Sequence, residues 1–119
     1  MNRQKAFDTA YLGVIKKGKP SMTKGGGCVY RGPNRRKCDI GQLLTNKEAE
    51  GLDSSDDTSV RKLFRAGALP ARFIEADLDF YDELQSAHDQ AADTSKDFLD
   101  AFRANMATVA RDYELTVPA

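Results

Sequence analysis

The chain has 119 residues, 40% of them hydrophobic and 30% charged, with a mean hydropathy of −0.57; this fits one ordinary globular domain over residues 1–119 and excludes a disordered or fibrous chain. No apolar run approaches the roughly 18 residues of a membrane span, and the charged N-terminal stretch MNRQKAFDTAYLGVIKKGKP lacks the apolar segment of a secretion signal, so the sequence predicts a cytoplasmic protein without a membrane partner. Formal net charge is zero, but residues 1–38 hold ten basic residues and one acid while residues 39–119 hold eight basic residues and seventeen acids, a polarity that favours an oppositely charged partner at one end.

In chain order, the spacing of Ala6, Phe7, Ala10, Tyr11, Val14 and Ile15 predicts a first helix over Asn2 to Lys17, capped by Asn2 and closed at Gly18. The breaker segment KPSMTKGGG follows; it lacks the spacing of a phosphate-binding loop and reads as a connector. Cys28 to Tyr30 and Lys37 to Ile40 read as two short strands around the turn residues Gly32-Pro33-Asn34. Leu43 and Leu44 suit a short helical turn, and Thr45 with Glu48 has capping-box spacing ahead of a short helix over Asn46 to Glu50. A third helix starts at Asp56 or Asp57, runs through Arg65 and stops at Gly67. Pro70 opens the longest helix, Ala71 to Ala92, with Phe73, Ala76, Phe80, Leu84, Ala87 and Ala91 on its apolar stripe. Thr94 with Asp97 opens the last, ending near Asp112. The expected fold class is therefore α+β, mostly α: four or five helices packed with one small β-hairpin, the last two helices antiparallel across a short loop.

Cys28 and Cys38, the only cysteines, flank the expected turn, with nine residues between them rather than the short spacing of a zinc knuckle. Buried packing, a hairpin disulfide, a metal site completed by His88 and Asp89, and a Cys–His nucleophile all remain compatible with them. Packing is favoured, because a cytoplasmic setting disfavours a disulfide and no spacing supports metal, so no metal or cofactor is assigned. His88, the only histidine, lies at the border of the long helix's stripe. Asp89, next in sequence, projects about 100° away from it and makes a poor orienter for a catalytic imidazole. The better candidate for binding is the basic stretch: Arg31, Asn34, Arg35, Arg36 and Lys37, with Tyr30 beside them for stacking, suit phosphates or an acidic protein groove. A second surface is the acidic face of the long helix, Glu75, Asp79, Asp82 and Glu83, whose i,i+4 like charges repel one another mildly.

The stretches CVYRGPNRRKCDIGQLL and ELQSAHD, through Cys28, Tyr30, Arg31, Gly32, Cys38, Gly41, Leu44, Leu84, Gln85, His88 and Asp89, resemble a family of small uncharacterised proteins carried by bacteriophages and prophages. The resemblance spans most of the chain and implies a small accessory protein of an infected bacterial cell; it transfers no established activity or catalytic residue. The turn departs from the family's pattern in being more basic at Asn34-Arg35-Arg36 and in having Asp39 where a small apolar residue is expected. The resulting expectation is a non-enzymatic protein that binds a host defence or regulatory protein and acts as its inhibitor. A nucleic-acid binder using the same basic residues and a thiol- or metal-dependent site are the alternatives.

Overall fold

The structure is a computed structural model and describes residues 2–18, 40–53, 59–92 and 97–118. Five α-helices occur among them: α1 (Arg3–Lys17), α2 (Asn46–Asp53), α3 (Val60–Arg65), α4 (Leu78–Ala92) and α5 (Phe98–Asp112), with 3₁₀ turns at Gly41–Leu43 and Glu75–Asp77. The described residues contain no strand, so the expected α+β class is corrected to an all-helical one. The expected hairpin meets the described residues only at Ile40. There the backbone is helical (φ −67°, ψ −36°) and leads directly into the Gly41–Leu43 turn, with Ile40 buried in the core. The anchoring of this apolar side chain under a 3₁₀ turn replaces an extended end. Residues 28–39 of that expectation lie outside the described residues.

Local signals account for most helix ends. The Asn2 side chain accepts from the Lys5 N–H, and Gly18, at φ 73°, closes α1 by donating its N–H to the Val14 carbonyl at 3.0 Å. Thr45 and Glu48 form the reciprocal capping box, Thr45 N–H to Glu48 Oε1 at 2.8 Å and Glu48 N–H to Thr45 Oγ1 at 3.2 Å. The helix α2 then runs past Glu50 through Gly51 to Asp53, which brings Leu52 into the core. Ser59 caps α3, and Gly67, at φ 71°, lets the chain turn away after it; Asp56 and Asp57 lie outside the described residues. Asp97 is itself the cap of α5, accepting from the Asp100 N–H at 3.1 Å, so this helix starts later than a Thr94 cap predicts; Thr94 too is outside the described residues.

The largest helical correction is at 71–77. Phe73 donates its N–H to the Pro70 carbonyl in a turn and Ile74 is extended (φ −94°, ψ 153°), so α4 begins only at Leu78. The turn sends Phe73 inward against Tyr81, with ring centroids 4.8 Å apart, while Ala76 faces solvent. Asp77 is buried and receives the Arg3 guanidinium at 2.6 Å.

Buried residues from all five helices form one apolar cluster. Phe7, Tyr11, Phe102 and Phe98 stack in sequence through it, linking α1 to α5. Helices α4 and α5 are antiparallel: Glu83 meets Tyr113, Ala87 meets Asn105, and His88 meets Phe98. Gly13 admits the Gln42 side chain against α1; a Cβ there would lie 2.3 Å from it. After α5, Leu115 and Val117 pack on the core, and Thr116 exchanges hydrogen bonds with the Gln4 amide in both directions, at 2.8 and 2.9 Å. Among the described residues no helix is long and apolar enough to cross a membrane.

Candidate functional site

The acidic face of α4 is sorted by its partners. Arg61 of α3 reaches Asp79 Oδ1 at 2.8 Å and Asp82 Oδ2 at 3.2 Å, so two of the four predicted acids meet one guanidinium. These pairs are exposed enough that solvent screens them, and they act mainly to align α3 on α4. Glu75 sits in the 3₁₀ turn before α4, exposed and outside this arrangement. Asp77, which the sequence pattern did not single out, is held by Arg3, whose guanidinium also lies 5.9 and 5.4 Å from the Phe80 and Tyr113 ring centroids.

Glu83 differs from its neighbours. Its Oε2 accepts a hydrogen bond from the Tyr113 hydroxyl at the end of α5, and among the described residues no cation pairs with it. Burial first, then the bond to Glu83, pushes the Tyr113 phenol up to about 12, so it is a neutral donor at physiological pH. Glu83 stands at one end of an open cleft of about 330 Å³ between α4 and α5. Ala87 and Val109 form its apolar floor, while Ser86 and Gln90 from α4 and Asn105 and Thr108 from α5 supply polar walls. Asn105 Nδ2 donates to the Ala87 carbonyl at 3.1 Å, and Thr108 Oγ1 donates to the Ala104 carbonyl at 3.3 Å. A sequence signal for this wall exists: Asn105 and Thr108 repeat at i,i+3 along the border of the Phe102, Met106 and Val109 stripe. Tyr113 had no such signal, because its partner lies 30 residues away.

The structure places His88 at 0% exposure, with its ring edge against Phe98 at 5.6 Å. Its Nδ1 lies 3.0 Å from Asp89 Oδ1, so the adjacent carboxylate does meet the imidazole despite leaving the helix in another direction. The expectation of a poor orienter is thereby corrected. The burial of the ring between the helices makes this pair a core contact with one polar, half-exposed edge at Asp89. Among the described residues no three of His, Cys, Asp and Glu come together as a metal ion would need. Cys28, Cys38, Tyr30, Arg31, Asn34, Arg35, Arg36 and Lys37 lie outside the described residues.

No family model, curated protein or solved structure matches the chain.

Proposed function

We propose that the chain is a small, non-enzymatic interaction protein of the phage accessory kind, which acts by covering a charged surface of a host defence or regulatory protein with its basic stretch, Arg31, Arg35, Arg36 and Lys37, beside Tyr30. The observation that carries this reading is the assignment of the carboxylates. Arg61 holds Asp79 and Asp82, Arg3 holds Asp77 and Arg72 holds Glu48, each cation coming from outside residues 19–39. Four carboxylates of the described residues, Glu48, Asp77, Asp79 and Asp82, are thus matched by cations other than those of the basic stretch. Over residues 19–39, six basic residues face a single acid, Asp39. An excess of that size steers encounter with an acidic partner and sets its specificity.

The test is capture of host proteins by the tagged chain, before and after replacing Arg31, Arg35 and Arg36 with Glu. The expected result is loss of the captured protein with unchanged helical circular dichroism; unaltered capture would sink the assignment. A nucleic-acid target would use the same residues and Tyr30. It would reveal itself as a mobility shift of DNA or RNA whose affinity falls steeply and linearly in log salt, and such a shift would replace the protein-partner reading.

A further inference from the structure

From the α4–α5 cleft we infer a second binding site, independent of the basic stretch, that takes a primary alkylammonium group on an aliphatic stem. The argument is one of hydrogen-bond inventory. Three donors around the cleft are turned inward: the Tyr113 hydroxyl serves Glu83, an Asn105 amide hydrogen serves the Ala87 carbonyl, and the Thr108 hydroxyl serves the Ala104 carbonyl. The bond to Ala87 fixes the Asn105 amide and leaves its Oδ1 to accept. These bonds leave Glu83 Oε1, Asn105 Oδ1 and the Thr108 oxygen lone pairs as acceptors, beside the Ser86 hydroxyl and the Gln90 amide, each of which can accept through its oxygen. An ammonium group, with three donors and no acceptor, is the complement of such a wall.

Charge and shape agree with the inventory. Among the described residues Glu83 is the only charged side chain lining the cleft, and no cation lines it or neutralises it. Arg3, which lies over the Tyr113 ring, is held by Asp77. Because Tyr113 occupies Glu83 Oε2, the carboxylate cannot receive a guanidinium through both oxygens unencumbered, which favours the point charge of an ammonium over arginine's fork. Ala87 and Val109 offer apolar floor for a short methylene stem, and the cleft volume lies at the lower end of the usual range for small-ligand sites, about 300 to 1,000 Å³. The same chemistry is presented by a free alkylamine and by a lysine side chain on a peptide.

The test is titration of the ¹⁵N-labelled chain with n-butylammonium, followed by amide shifts. Saturable shifts confined to Glu83, Ser86, Gln90, Asn105 and Thr108 are expected, with none from n-butanol at equal concentration. Glu83→Gln should weaken the response about tenfold or more, as loss of a charged hydrogen-bond partner does. Because that variant also alters the bond to Tyr113, Ala87→Leu provides an independent check: it fills the floor, keeps the carboxylate and should abolish the shifts. Equal shifts from butanol, shifts spread over Asp79, Asp82 and Asp89, or binding unchanged in both variants would overturn the site. Nα-acetyl-lysine N-methylamide separates the sources: tighter binding than butylammonium selects a peptide lysine, and equal or weaker binding selects a free amine.

Discussion

At the scale of single residues, what decides a carboxylate's behaviour is which donor reaches it. Glu48 receives the Arg72 guanidinium at 2.6 and 3.0 Å and the Thr45 N–H at 2.8 Å. The Arg72 bonds, then the Thr45 N–H, lower its carboxyl from 4.5 to about 2. A folded-state value below the unfolded one contributes stability above pH 4.5 that is lost as pH falls toward 2. Arg72→Met should therefore show a smaller decline in urea midpoint across that window than the parent chain. Tyr113 has the opposite sign: its phenol is raised from 10.0 to about 12, so its contribution is full below pH 10 and lost as pH rises through 12. Tyr113→Phe should cost about 1 kcal/mol at neutral pH, the usual net worth of a hydrogen bond, and should flatten the alkaline decline. Both are read by denaturant titration at graded pH. The sequence pattern contained these acids but not their fates. Asp77 and Arg3 are 74 residues apart, and nothing local marks them as a pair. The border position of His88 likewise understated its burial, because Phe98, which packs over it, comes from another helix.

At the scale of elements, helices with local instructions were legible and those decided by distant contacts were not. The α1 stripe, its Asn2 cap and its Gly18 stop are all written within residues 2–18, and the structure follows them. Residues 71–77 carry helical spacing at Phe73, Ala76 and Phe80, yet Ile74 is extended, since turning Phe73 onto Tyr81 and Asp77 onto Arg3 satisfies an aromatic and a charge together. Two glycines separate propensity from packing. At Gly51 a Cβ meets nothing within 4 Å, so Gly51→Ala should stabilise α2 by about 0.5–1 kcal/mol. At Gly13 the same change drives a methyl into Gln42, so the gain should vanish or turn into a loss. Thermal melts of the two variants make the comparison directly.

At the scale of the whole molecule, a single helical core supports a chain whose charge is unevenly distributed. The core is continuous from α1 to α5 through Phe102, which is fully buried and stacks on both Tyr11 and Phe98. Phe102→Ala should cost about 3–5 kcal/mol in a urea titration, the range for losing a buried aromatic. On this frame Asp79 and Asp82 of α4 are matched by Arg61 of α3, and Asp77 of the preceding turn by Arg3 of α1, while the basic excess is concentrated in residues 19–39. That division is the basis for assigning recognition to Arg31, Arg35 and Arg36 rather than to the acidic face. The most direct test sets the two faces against each other. Partner capture is compared for a variant with Arg31, Arg35 and Arg36 changed to Glu and for a variant carrying Glu75→Gln and Asp79→Asn, both checked for unchanged circular dichroism. The account predicts that capture is lost in the first and retained in the second; retention in the first with loss in the second would contradict it.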